Sequence, residues 1–398
     1  METGAQSPRA APRAGYLLVG GAITVMMAGA SAPSPFYPLW QRELHLAPAM
    51  GTLVFAVYAV ALLLALLVSG SLSDHVGRRP VVSVGFLLLA ASVALLWAAG
   101  STGVLLGGRA LQGVASGVLL SALAALVTDL AGAAHAARAA VVNSVAPMVG
   151  LAVGAVGAGL VIDGDGPHAG AIVFGVLTVA YAVLGGAVWL LPETSAREAG
   201  AWRALRPRVA VPRSARALFA LSVPVTLAGW ATGGLFLSLG ASIVRTVFDV
   251  DASALQGITI GVVPAAGVVG ILVLRHRPAG VVMIYGSAAL AVGTLLSLVA
   301  LSTGSFVFYL LAVVVVGSGF GPAFFGVVGT VVPAVAVHER AEMFAALYAV
   351  SYLAFGVPAV IAGTLVPVLT LEVTATVYGV CVAALAGLSL VLRVRSRV

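Results

Sequence analysis

Gly70-Ser71-Leu72-Ser73-Asp74-His75-Val76-Gly77-Arg78-Arg79-Pro80 separates two stretches, 48–69 and 81–99, that contain no charged residue at all. A bilayer core about 30 Å thick takes roughly 20 apolar residues of helix to cross. Both flanking stretches have that length, so the polar segment reads as a loop at a membrane surface between two spanning helices.

The same reading, carried outward, gives twelve runs in all: approximately 16–38, 48–69, 81–99, 104–128, 139–161, 169–191, 217–245, 253–274, 279–301, 305–333, 342–366 and 373–392. Composition agrees. The 398 residues are 61% apolar and 8% charged, with a mean hydropathy of +1.14, whereas water-soluble domains are roughly 45–50% apolar and about 25% charged. The fold class expected is an all-α membrane protein. Trp40 and Trp97 at one set of span ends, with Trp189 at the other, fit an interfacial aromatic belt.

A net charge of +7 raises the possibility of a nucleic-acid partner, but the placement of the charge points to membrane topology instead. All twenty basic residues are arginine, and with a cytoplasmic N-terminus seventeen of them, including Arg9, Arg13, Arg138, Arg340, Arg393 and Arg397, fall on the cytoplasmic side. Only Arg42 and Arg245 face the other side, and Arg109 lies within a span. This asymmetry calls for an even number of crossings with both termini in the cytoplasm. Arg9 and Arg13 before Ala30-Ser31-Ala32 have the outline of a secretory leader. The apolar run continues to Trp40, however, and Pro33 follows the small-residue site, so this is read as the first span. Cys381 is the only cysteine, which excludes an intrachain disulfide.

Residues 192–216 carry Pro192, Pro207, Pro212 and six arginines and read as a cytoplasmic linker. The organisation expected is a tail over 1–15, a six-helix bundle over 16–191, the linker, a second six-helix bundle over 217–392 and a tail over 393–398. An offset of 200 to 202 positions superimposes Gly29 on Gly229, Gly70 on Gly270, Gly117 on Gly319, Arg138 on Arg340 and Gly154 on Gly356. On that offset Leu311 stands in the place of Arg109.

The Gly70–Pro80 loop closely resembles the signature loop of the major facilitator superfamily: glycine, any residue, leucine, a small residue, aspartate, two more residues, then glycine, arginine, arginine. Gly70, Asp74, Gly77, Arg78 and Arg79 all match. The resemblance implies twelve helices in two pseudo-symmetric six-helix bundles, and a latch in which Asp74 meets the N-terminus of span eleven near Ala341. A carboxylate there gains from free amides and the helix dipole, about 0.3 to 1 kcal/mol, or up to about 2 when partly buried. The resemblance also implies pairing of Arg78 or Arg79 with Asp129. In the second half the loop has decayed to Gly270–Pro278, with Leu274 in the aspartate position.

Arg109, Gln112 and Ser116 recur at helical spacing on span four, with Gly113 and Gly117 beside them to allow close packing. The segment resembles the superfamily's fourth-span motif. An arginine in mid-membrane costs about 2.5 to 3.5 kcal/mol on the insertion scale, so it should face protein or a wet cavity; snorkelling to the outer interface is the alternative. On span five, the glycine run with Gly150 and Gly154 resembles a degraded form of the antiporters' motif, with Ala155 where that motif has proline. Simple helix packing reads it equally well.

By the resemblance, a central cavity is lined chiefly by spans one, four, seven and ten. Candidate contacts are Ser34, Tyr37, Tyr58, Asn143, Met148, Trp230, Phe236, Phe320, Phe324, Tyr348, Tyr352 and Phe355. An aromatic and methionine lining with one cation suits amphipathic or anionic organic molecules. None of the thirteen acidic residues lies deep within a span, which leaves the coupling ion open. No metal-ligand cluster, nucleotide-binding loop or nucleophile triad is legible, so no cofactor and no catalysis are expected. The function implied is a monomeric secondary transporter of a small organic substrate in a bacterial inner membrane, resembling the twelve-span drug:proton antiporters. Its alternatives are a nutrient importer and a non-transporting sensor.

Overall fold

The computed structural model describes residues 13–197, 200, 205, 207, 209–336 and 339–396. Residues 1–12, most of the linker between 198 and 208, and 397–398 lie outside the described residues, and with them Arg9, Arg203, Arg206, Arg208 and Arg397. Every regular element described is helical. Twelve long helices follow one another: α1 (Arg13–Ser31), α2 (Pro48–Ser69), α3 (Arg78–Trp97), α4 (Thr102–Ala131), α5 (Ala136–Asp165), α6 (Ala169–Ala187), α7 (Arg216–Val247), α8 (Ser253–Leu274), α9 (Ala279–Thr303), α10 (Phe306–Val331), α11 (Arg340–Leu369) and α12 (Leu371–Ser396). The described residues contain eleven apolar stretches long enough to cross a bilayer; one of them, Ala136–Leu190, holds both α5 and α6, joined by the single turn Gly166–His168.

Contacts between the helix ends define two faces. Gly15 at the start of α1 lies against Leu191 after α6, and Arg393 near the end of α12 donates to Ser222 Oγ near the start of α7 at 3.0 Å. This is the terminus face; the opposite one is the far face. Helix ends are closed locally: Ser101 Oγ and Ser305 Oγ accept the backbone N–H of Val104 and Phe308 at the starts of α4 and α10.

Small residues set the helix spacing, because in lipid close backbone approach replaces the hydrophobic drive that holds soluble bundles together. A Cβ on Gly113 or Gly117 would collide with the α2 backbone at Tyr58 or Leu62. Gly150 and Gly154 stand in the same relation to the α1 backbone at Thr24 and Ala28. Gly150 and Gly154 therefore seat α5 on its own bundle.

The bundles meet chiefly through two helix pairs, α2 with α11 and α5 with α8. Leu237, Ala241, Ile260, Tyr352, Phe355 and Ala359 of the second bundle belong to the first bundle's core. All six sit in the middle or far half of their helices. Among the described residues, the three hydrogen bonds that join the bundles also lie there: Ser34 Oγ to the Leu237 carbonyl, and the Ser253 and Ala254 amides to Asp163, each at 2.8 Å.

Two readings of the sequence need correction. Trp40 is buried and stacks on Phe174 at 6.0 Å, while Trp97 and Trp189 are exposed as a belt requires. Leu311 is 61% exposed whereas Arg109 is fully buried, so the repeat offset does not superimpose their helix faces.

Candidate functional site

The loop after α2 folds as one helical turn, Leu72–Val76, and then reverses at Gly77, whose φ of +115° is a conformation that side-chain-bearing residues rarely adopt. This turn aims Arg78 into the bundle. The Arg78 guanidinium pairs with Asp74 at 2.5 Å and with Asp129 at 3.2 Å, and donates to Ser73 Oγ at 2.5 Å. Arg78, not Arg79, is thus the partner of Asp129. Arg79 reaches outward to the Trp189 carbonyl and lies over the Trp189 ring at 5.1 Å.

A third acidic residue, after Asp74 and Asp129, completes the cluster. The Glu193 carboxylate accepts the backbone N–H of Arg78 at 2.8 Å and of Arg79 at 3.2 Å, capping α3. Burial raises its pKa, but backbone hydrogen bonds from Ser195, Arg78 and Arg79, together with the nearby Arg197 charge, outweigh burial and leave the pKa below the ordinary carboxylate value. Thr194 Oγ1 donates to Asp129 at 2.7 Å and Ser195 Oγ to the Asp74 carbonyl at 2.6 Å. The start of the linker is therefore stitched to the signature loop.

The expected contact between Asp74 and the start of α11 is not made in this conformation. The Asp74 side chain is 44% exposed and pairs with Arg78, and Arg340 and Ala341 are exposed at the head of α11. Bundles that touch on their far halves leave the α11 N-terminus apart from the loop.

Arg109, about two turns into α4 from its far-face end, is 0% exposed. Its guanidinium donates to Gln112 Oε1 at 2.5 Å and to the Ala30 carbonyl at 3.4 Å, while Gln112 Nε2 donates to the Gly29 carbonyl at 2.7 Å. The Tyr58 ring from α2 lies 4.5 Å from the guanidinium carbon, and Tyr37 stands beside it. Among the described residues no carboxylate is within ion-pair distance, and Nε and Nη2 have no well-aligned acceptor. Arg109 therefore does not snorkel; the cation is held by neutral groups.

Across the bundle interface, Trp230 of α7, Phe324 of α10, and Tyr348, Tyr352 and Phe355 of α11 form a continuous run of ring contacts between 4.9 and 6.3 Å. Tyr352 and Phe355 enter the first bundle's core, and Trp230 and Tyr348 pack against it. Phe355 carries the wall onto the first bundle, with its ring 4.8 Å from that of Phe55 on α2.

A model of the family described as Major Facilitator Superfamily matches residues 19–357. The chain belongs to the Major Facilitator Superfamily. Membership makes this facilitator a transporter and not an enzyme. No curated protein matches its sequence. Among solved structures, it is similar to the xylose transporter XylE from E. coli in a partially occluded inward-open conformation, with a TM-score of 0.73 and 13% identity over 94% of this chain and 96% of that one. It is also similar to the human organic anion transporter MFSD10 (TETRAN), with a TM-score of 0.67 and 16% identity over 96% of this chain and 100% of that one.

The facilitator fold places the remaining candidates unevenly. Ser34 is buried in the far-half seal. Asn143 turns toward α4, donating to the Ala124 carbonyl at 3.2 Å, and Met148 Sδ lies against Gly267 of α8. Phe320 lies beside Gly233 of α7 and packs on the second bundle's core. Phe236 is a correction: it points into the second bundle, beside Thr232, Tyr309 and Val316, and not into the interface. Its helix spreads Ser222, Thr226, Thr232 and Ser238 over several faces, so no single stripe in the sequence fixed the phase of Phe236. Glu193, Thr194, Ser195 and Asp163 were missed; the signal available for the first three was Pro192-Glu193-Thr194-Ser195 directly after a span.

Proposed function

We propose that this facilitator is a proton-coupled exporter of small amphipathic or anionic organic molecules that works by rocking its two bundles about a midplane site. One observation carries the reading. A fully buried guanidinium with no carboxylate partner among the described residues lies against Tyr58 of α2, and an aromatic wall lines the interface that α2 shares with the second bundle. Buried charge without a counterion is costly, and an anionic or polar substrate group offers compensation that the protein lacks.

The terminus face is the cytoplasmic one on this reading, since it collects Arg78, Arg79, Arg138, Arg275, Arg277, Arg340, Arg393 and Arg395. The hydrogen bonds that join the bundles then lie on the outer side in this conformation. A bacterial inner membrane, cytoplasmic termini and action as a monomer complete the proposal. Export draws support from the glycines at the α5–α8 contact, where Gly159, Gly257 and Gly261 bring two backbones together on the far half, in a region resembling the antiporters' glycine motif. Import by symport is the second reading.

The test is purified protein in liposomes with an imposed pH gradient, challenged with a panel of cationic, neutral and anionic compounds. The proposal expects proton-driven movement of anionic or amphipathic compounds away from the terminus face. Movement with the proton, in the same direction, supports the import reading instead.

A further inference from the structure

On the far face the start of α8 is capped from the other bundle. Asp163, in the last turn of α5, accepts the backbone N–H of Ser253 through Oδ1 and of Ala254 through Oδ2, each at 2.8 Å. One carboxylate of the first bundle thereby caps the first two residues of a 22-residue helix of the second. The α8 start supplies no side-chain cap of its own. A Cβ on Gly159, one turn before Asp163, would collide with the Ser253 carbonyl, so the missing side chain is what lets the carboxylate reach.

The arrangement repeats that of the signature loop with the membrane faces exchanged. Gly70-Ser71-Leu72-Ser73-Asp74 follows α2, and Gly159-Leu160-Val161-Ile162-Asp163 ends α5; both place an aspartate four residues after a glycine. The helices that carry them, α2 and α5, are the two that pack across the bundle interface, on α11 and α8. Transporter halves built from inverted three-helix repeats relate the second helix of a half to the fifth, upside down. In this conformation Asp163 holds the α8 N-terminus while Asp74 turns to Arg78.

We infer that Asp163 is a positioning residue that locks the far face shut, the counterpart of Asp74 on the terminus face, and that the balance between the two carboxylates sets the resting conformation. Each makes its helix-end contact when the bundles close on its own face, so each stabilises one state only and biases the equilibrium. The inference rests on the alternating-access reading above.

The experiment measures distances by electron double resonance in a Cys381→Ser background. Spin labels at Glu43→Cys and Thr303→Cys report the far face, and labels at Ala137→Cys and Arg277→Cys the terminus face. Asp163→Ala is expected to move about twofold to fivefold of the population ratio toward long far-face and short terminus-face distances, and Asp163→Asn, which keeps one acceptor, to move it less. If Asp163→Ala cannot be purified, the same shift is read from Asp163→Asn against Asp163→Ser. Unchanged distributions in folded variants overturn the inference. Transport measured in parallel keeps the two readings apart: active transport with distances indifferent to Asp163 overturns the lock alone.

Discussion

The Arg109 guanidinium lies 4.5 Å from the centre of the Tyr58 ring, joining α4 to α2 through a cation that has no ionic partner among the described residues. Desolvated contacts of this kind are worth about 2 kcal/mol. Tyr58→Phe, which keeps the ring, should transport near the parent rate, while Tyr58→Leu should lose about tenfold or more. Arg109→Ala should lose turnover or affinity by about 10-fold to 100-fold, the scale of a hydrogen bond to a charged group. Rates in liposomes beside the yield of monodisperse protein check this; a variant that merely fails to accumulate would assign Arg109 to stability.

Asp74→Asn is expected to abolish transport and leave membrane insertion intact. The partly exposed pair it makes here with Arg78 is worth at most about 1 kcal/mol, too little to account for such a loss. Its importance on this account lies in the other conformation, at the head of α11. Unimpaired transport by the variant removes the latch from the mechanism.

Glu193→Gln should weaken the capped loop by about 1 kcal/mol, as loss of a helix cap does. The pH dependence has a definite sign. Because the folded pKa of Glu193 is lowered, its stabilisation is present above the ordinary carboxylate range and is lost as the pH falls through the folded value. The gap in melting temperature between parent and variant should therefore be full at neutral pH and close in acid; a gap that persists in acid would contradict the assignment.

Gly117→Val should strongly reduce the yield of folded protein, since its Cβ meets the Leu62 backbone oxygen and cannot be relieved by a side-chain movement. Gly107→Ala on the same helix, with open space around it, should be neutral or slightly stabilising. Size-exclusion profiles of the two variants separate close packing from a general intolerance of glycine replacement.

The twelve helices were legible because each needs a fixed apolar length, and the loop at Gly70–Pro80 because charge between two such lengths has only a surface to occupy. Arg109, Gln112 and Ser116 were legible as a stripe since polar residues stand out on an apolar helix. Phe236 was not, because the serines and threonines of its helix are spread over several faces and mark no phase. Glu193 and Asp163 escaped for a different reason: their partners are backbone amides of distant helices, which carry no side-chain signature. For Gly150 and Gly154 the sequence left close packing and an antiporter motif equally open, and that they lie against the α1 backbone follows only from the tertiary arrangement.

The central claim is that the bundles part and close on the far half during each cycle. In a Cys381→Ser background, Ala59→Cys and Gly356→Cys place two thiols across the α2–α11 contact, where the Ala59 Cβ lies 3.4 Å from a Cβ built on Gly356, close to disulfide spacing. Transport is then measured before oxidation, after it, and after reduction. The account predicts that the cross-link forms readily, stops transport and is reversed by reductant; full transport by the cross-linked protein would contradict it.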